Sequence, residues 1–200
     1  MKNQTKNLIL KNAAVLFYSS AINHVTLDDI ASKCGISKKT IYKYFKNKED
    51  LVIKTIRKQA KILKKNISRI QQIGHNALEE LMYFITYINK KMHRVYPMVK
   101  NEIKKGPANS FFNAINYSDT IILQFIVDNI EHGKLQGLYK EQIDAQEFCE
   151  SYDVLSKSIY FNYYFTDLNV KKKSFEFVSS LFLYGLVTQL GLDYLQILLS

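Results

Sequence analysis

Three helix starts fall inside one stretch, TLDDIASKCGISKKTIYKYFKNKEDL, running from Thr26 to Leu51. Each is written in capping chemistry. Thr26 with Asp29 three residues on is a capping box, and Asn47 with Asp50 is an Asn version of it. Ser37 is a plain N-cap ahead of Lys38, Lys39, Thr40 and Ile41. Between the first two starts stands Gly35, which can take the left-handed conformation that a tight helix–helix turn requires. Two short helices joined in this way make a helix-turn-helix, and the second becomes a candidate major-groove reader.

Neighbouring residues fit that geometry. Ala31 lies four residues before Gly35, where a small side chain lets the helices approach closely. Ile30, Cys34, Ile36 and Ile41 supply a small apolar junction. Lys38, Lys39, Thr40, Tyr42 and Lys43 cover the remaining faces of the second helix. A helix serving only the core has no need of that array. A solvated hairpin with a charged face is the plain alternative, and it explains the lysines but not the turn glycine, the alanine and the caps in register.

The run resembles the DNA-binding segment of the TetR family of bacterial transcriptional regulators. The resemblance rests on Thr26, Ile30-Ala31, Gly35-Ile36-Ser37, Thr40-Ile41-Tyr42, Tyr44-Phe45, Lys48-Glu49 and Leu51, and covers residues 8 to 55. The family often has Ala where Cys34 stands, and Gly near 21 or 22, where this chain has Ala21-Ile22. The resemblance implies that Lys38, Lys39 and Thr40 face base edges or adjacent phosphates. It implies that Tyr42, Lys48 and Tyr44 hold phosphate, and it brings Thr26, Ser37 and Lys43 into the same contact set.

Charge agrees on independent grounds. Residues 1–75 carry 16 Lys and Arg against 4 Asp and Glu, a net +12, whereas residues 76–200 carry 12 against 14, a net −2. A basic end attached to a neutral one is the electrostatic footprint of polyanion binding. An anionic membrane would also attract it, but no helix there combines a broad apolar face with interfacial Trp, which the chain lacks altogether.

The chain has only 7 Gly and 2 Pro in 200 residues, too few for a loop-rich β protein, so an all-α fold of about nine helices is expected. Apolar periodicity places helix one at 4–22, helices two and three at 27–33 and 38–44, and helix four from Asn47 to Ile73. Helix four should turn inward Leu51, Val52, Thr55, Ile56, Gln59, Ile62 or Leu63, Ile67 and Ile70. Lys65, roughly 25 Å along it from Lys48, contributes field rather than contact. The remaining helices are expected at Asn76–Val95, 97–105 (opened by Pro97), Ser118–Gly133, Asp144–Tyr164 and Ser174–Leu199, with Asn109–Phe112 a linker and Lys171-Lys172-Lys173 a solvated linker run. The expected domains are a three-helix head at 1–47, a connecting helix at 48–74, and a ligand-binding and dimerisation domain at 75–200.

The last helix is apolar on several sides, yet Glu176 and Asp193 bracket only sixteen residues, short of a membrane span. Burial against its own domain and a second subunit accounts for it. The resemblance implies a two-fold four-helix bundle from the last two long helices, with Phe148, Tyr152, Leu155, Ile159, Phe177, Leu181, Tyr184 and Gly185 at the interface. It also implies an effector cavity between helices, for which Phe84, Tyr87, Met98, Glu102, Phe112, Gln124, Phe125 and Tyr152 are candidates.

No catalytic motif is legible, and the expectation is that the chain is not an enzyme. Cys34 and Cys149 are far apart in sequence and the four His are scattered, so no metal site or other cofactor is expected. Lack of a signal-like N-terminus points to the cytoplasm. The resulting expectation is a dimeric repressor of a palindromic double-stranded operator, released by a small hydrophobic effector. The alternative is a ligand-independent DNA-binding protein with a filled core.

Overall fold

The computed structural model describes residues 2–20, 22–100, 110–161 and 167–199. Among them lie nine α-helices and no strand: α1 (Lys2–Ser19), α2 (Leu27–Cys34), α3 (Lys38–Tyr42), α4 (Lys48–Ile73), α5 (Ala77–Lys100), α6 (Ser110–Leu135), α7 (Ala145–Phe161), α8 (Leu168–Leu186) and α9 (Gln189–Leu199). α1 ends at Ser19, short of the expected 22, and a 3-10 turn at Ile22–His24 precedes α2.

The chain divides into two compact units. One comprises Met1–Leu63 with Arg94–Asp119; the other comprises Lys64–His93 with Thr120–Ser200.

In the first unit α1 buries Ile9, Ala13 and Phe17, and α4 buries Leu51, Val52, Ile56 and Leu63. Of the two candidates at 62 and 63, Leu63 faces inward and Ile62 is exposed; Ala60 rather than Gln59 completes the buried stripe. Thr55 is buried because its hydroxyl donates back to the Leu51 carbonyl at 2.7 Å. Lys58 Nζ donates to Asn7 Oδ1 at 2.8 Å and fastens α4 to α1.

In the second unit α7 and α8 interlock through rings. Tyr152 meets Phe175 and Phe182 edge-on at 6.2 and 5.3 Å, and Phe148 meets Phe182 at 5.0 Å. Phe84 of α5 lies 4.5 Å from Phe125 of α6. A buried polar relay ties α5 to α6. The Tyr139 hydroxyl donates to Asn129 Oδ1 at 3.2 Å, and Asn129 Nδ2 donates to the Ala77 carbonyl at 2.9 Å and to Glu80 Oε2 at 3.4 Å. Tyr139 gets that close because Gly133 has no side chain: a Cβ there would stand 2.1 Å from the ring.

Burial pushes the Glu80 carboxyl above its ordinary range, against the opposing pull of Asn129 and His132. A carboxyl whose folded pKa is raised loses stability as pH climbs from its unfolded value through its folded one. Glu80→Gln keeps an acceptor for Asn129 and has no charge to bury. The expected result is a higher urea midpoint than wild type at neutral pH, with the two converging near pH 4.

Several helix boundaries differ from expectation, each for a physical reason. The single last helix expected at 174–199 is two. Val187 is extended, and the 138–140 loop pairs with the break: Lys140 N–H donates to the Leu186 carbonyl at 3.0 Å and Thr188 N–H to the Leu138 carbonyl at 2.9 Å. Thr188 then caps α9 by accepting from Gly191 N–H at 3.1 Å. The lysine run at 171–173 is not a linker. Asp167 caps α8 by accepting from Asn169 N–H at 2.7 Å, so the run lies on that helix and Lys171 is 1% exposed. α5 passes through Val95 and Pro97 to Lys100, because proline keeps a helical φ and sacrifices one backbone bond. The rest of the helix expected at 97–105, with its Gly106-Pro107 stop, lies outside the described residues. α6 begins at Ser110, taking in 110–112 of the expected linker.

Candidate nucleic-acid interface

The turn of the N-terminal head is built from backbone geometry. Thr26 N–H donates to Asp29 Oδ2 at 2.8 Å while Asp29 N–H donates to Thr26 Oγ1 at 3.1 Å, closing the capping box at the start of α2. Bonds donated to it by the Thr26 backbone N–H and then the Thr26 hydroxyl hold the Asp29 carboxyl below the usual carboxylate range. At the other end Gly35 sits at φ 64, ψ 34; its N–H donates to the Ser32 carbonyl at 3.0 Å, and Ile36 N–H to the Ala31 carbonyl at 3.1 Å. No atom lies near a would-be Gly35 Cβ, so the constraint is the dihedral and not space. Gly35→Ala is expected to cost about 1–2 kcal/mol, read as a lowered urea midpoint, and Gly35→Asn less.

Ser37 opens α3, accepting from Thr40 N–H at 3.2 Å. The helix is short, Lys38–Tyr42, and tightens into a turn in which Tyr44 and Phe45 N–H both bond the Ile41 carbonyl. Ile41 and Phe45, four residues apart, are the anchors: both are buried, against α2 residues Leu27, Ile30 and Ala31 that are buried too. The Lys54 ammonium stands 5.5 Å above the Phe45 ring. This anchoring fixes which side chains face out. Lys38, Lys39, Tyr42 and Lys43 are exposed, Tyr42 by 52%.

α4 begins at Lys48. Asn47 Oδ1 accepts from Asp50 N–H at 2.8 Å, but Asp50 Oδ2 accepts from Lys46 N–H at 3.0 Å rather than from Asn47. The expected box therefore closes one residue earlier in the chain. Lys48 is half-buried beside the positive end of that helix, with its ammonium 3.5 Å from the Asn23 carbonyl.

This arrangement, a rigid short helix carrying cations and a phenol beside a helix N-terminus with a lysine, is what phosphate and base-edge contact need. A family model described as bacterial regulatory proteins, tetR family, matches residues 9–55. The match covers the head alone, which is a TetR-type segment.

Relatives agree with that match. The HTH-type transcriptional regulator YerO of Bacillus subtilis is 41% identical over 51 residues, 26% of this chain and only 18% of YerO. The HTH-type transcriptional repressor KstR2 of Rhodococcus jostii is 24% identical over 148 residues, 72% of each chain. Among solved structures, a transcriptional regulator from Saccharomonospora viridis, in complex with choline, superposes with a TM-score of 0.73 at 19% identity, covering 94% of this chain and 100% of that one. At such identity it shows the shared all-α fold.

The head brings the expected DNA-facing residues together, with refinements that sequence did not reveal. The hydroxyl proton of Thr26 already goes to Asp29 Oδ2 at 2.7 Å, and Ser37 and Thr40 share a hydrogen bond at 3.0 Å, so these three build the scaffold. Tyr44 is half-buried, its ring 6.5 Å from that of Phe45. Lys38 is ion-paired with Asp28 of α2 at 2.8 Å, with both side chains largely in solvent. Nothing local announces that pair, since ten residues separate its members and only the helix-turn-helix fold brings them together. Asn12 Nδ2, 3.3 Å from Cys34 Sγ, similarly fastens α1 to the turn.

The expected ligand residues separate into three groups. Phe84 and Tyr152 line a small apolar cavity in the second unit, together with Leu81, Ile85, Ile126, Phe148, Ser179, Phe182 and Leu183, and Phe125 packs behind Phe84. Tyr87 accepts a hydrogen bond from Asn66 at 3.1 Å, and Gln124 is exposed, donating to Asp128 at 2.8 Å; neither lines the cavity. Glu102 and the side chains of Met98 and Phe112 lie outside the described residues. Of the expected dimer residues, Phe177, Leu181, Tyr184 and Gly185 form an exposed face of α8, with Leu155 exposed and Ile159 and Phe148 half-exposed on α7. Tyr152 is the exception: it is buried in the cavity wall and leaves the outward set.

Among the described residues no cluster of His, Cys, Asp and Glu could hold a metal, and no helix is long and apolar enough to cross a membrane. Both cysteines are free thiols; burial, then Asp153 and Glu150, pushes Cys149 up to about 11.

Proposed function

We propose that this chain is a TetR-family regulator, a repressor that binds a roughly palindromic operator as a homodimer and releases it when a small hydrophobic effector occupies the second unit. The observation that carries the DNA half is the head itself: Ile41 and Phe45 are buried so that Lys38, Lys39, Tyr42 and Lys43 all face solvent on one short helix. In this reading Lys38, Lys39 and Thr40 address base edges, while Tyr42, Lys43, Tyr44 and Lys48 hold phosphate. The KstR2 relative is a repressor, which supports that sense of regulation.

Dimerisation is supported by α8. Phe177, Leu181 and Tyr184 recur at helical spacing and are 65%, 55% and 51% exposed, with Gly185 open beside them. An apolar stripe of that kind favours a partner helix. The effector half rests on the apolar cavity. Effector and operator then exclude one another through a coupling of about 1–3 kcal/mol.

The second reading, a ligand-independent DNA-binding protein, is favoured by one observation. The cavity's free volume is about 10 Å³, room for roughly one water. The test is an electrophoretic shift on the DNA upstream of the protein's own gene, run beside sedimentation at micromolar concentration. A sequence-specific shift and a dimer are expected. A monomer that binds every duplex alike would contradict the proposal.

A further inference from the structure

The cavity's chemistry says more than that it is apolar. Its floor is Leu81, Phe84, Ile126 and Leu183, and its half-buried rim includes Phe148 and Phe182, whose rings meet edge to face at 5.0 Å. None of the nine lining side chains is charged. One end is different. The Tyr152 hydroxyl and Ser179 Oγ share a hydrogen bond at 3.1 Å inside the wall. Ser156, one turn along α7 from Tyr152, has a buried Oγ with no hydrogen-bond partner. Two hydroxyls, those of Tyr152 and Ser179, therefore stand in a lining that is otherwise hydrocarbon, and the unsatisfied Ser156 Oγ lies one turn along α7. A buried hydroxyl without an acceptor is destabilising until an oxygen reaches it. Burial also pushes the Tyr152 phenol above its ordinary value, against the pull of the Ser179 hydroxyl, so it stays a neutral donor.

We propose that this cavity binds a small uncharged molecule with an apolar, ring-sized body and a single hydrogen-bonding oxygen, the oxygen meeting the hydroxyls of Tyr152 and Ser179. The inference rests on the effector reading for what occupancy does to DNA binding. Charged ligands are rejected because no countercharge lines the wall and desolvation of an ion goes uncompensated. Entry requires the Phe182 ring to swing off Phe148, because the free space in the closed state is far smaller than a ring. The hydroxyl end gives selectivity of the kind that rewards a matched polar atom and penalises its absence.

The experiment titrates the full-length protein with toluene, p-cresol and benzoate by saturation-transfer NMR. The expected order is p-cresol about tenfold tighter than toluene, with no saturable benzoate binding. Tyr152→Phe, which conserves ring volume, and Ser179→Ala each bring p-cresol to within about threefold of toluene while toluene binding holds. Equal affinity for p-cresol and toluene in the wild type overturns the proposal. So do benzoate as the tightest ligand, a ratio unchanged in both variants, and binding of no probe. p-Cresol binding that leaves operator affinity untouched overturns the effector reading instead, and leaves the site standing.

Discussion

Tyr42→Ala combined with Lys48→Ala is expected to weaken operator binding by about 2–3 kcal/mol, roughly 30- to 150-fold at fixed salt. Tyr42 is exposed and Lys48 half-buried, so neither truncation opens the core, and the melting temperature should stay near that of the wild type. If the two side chains hold phosphate, the loss falls on every duplex sequence alike. The logarithmic salt slope should also flatten by about 0.9 for each lysine removed, about 1.8 for a dimer. Fluorescence anisotropy at several salt concentrations reads both quantities. An unchanged slope would move the phosphate contacts elsewhere on the head.

Phe45→Ala is expected to abolish binding by a different route. The ring is 2% exposed and, with Ile41, seats α3 on the rest of the head. Large-to-small replacement at such a site costs about 3–5 kcal/mol, a large share of the stability of a small domain. Hydrogen exchange should show lost protection from Leu27 to Phe45, with the amides of α7 and α8 little affected. A variant that keeps head protection yet loses DNA would mean that Phe45 acts through contact rather than packing. The pair of variants thus separates a damaged surface from a damaged scaffold: one loses affinity at constant stability, the other loses both.

The head was legible in the sequence because its determinants are local. A capping box spans three residues, the Gly35 turn needs one residue with a positive φ, and Ala31 stands a fixed step before it. Each signal lies within a turn of what it controls. What sequence did not reveal depends on distant partners. The break at Val187 exists because Leu138 and Lys140, almost fifty residues earlier, bond to Thr188 and Leu186. Lys171 is buried because α8 is capped at Asp167 and starts at Leu168, well before the apolar run that marks it. Pro97 was a case of a sound local rule losing, since α5 tolerates the missing bond.

The cavity was half legible for the same reason. Phe84, Phe125 and Tyr152 stand on apolar helix faces, and the resemblance to the family nominated them for the cavity. Ser179 reads as an ordinary small residue until α8 turns it toward Tyr152. Gln124 looked like a pocket-lining polar group, but it lies on the solvent side of α6. Tyr152 was nominated for two surfaces at once, and the packing of α7 on α8 gives it to the interior.

Selection of binding sites from a random duplex library by the full-length protein tests the central claim most directly. A head that reads base edges from α3, paired through the exposed face of α8, should enrich an inverted repeat with its half-sites about one helical turn apart or a multiple of it. Lys38→Ala or Lys39→Ala should relax the preference at particular positions of each half-site. A library that emerges unenriched, or enriched for a single unrepeated element, would contradict the account of a paired, sequence-reading head.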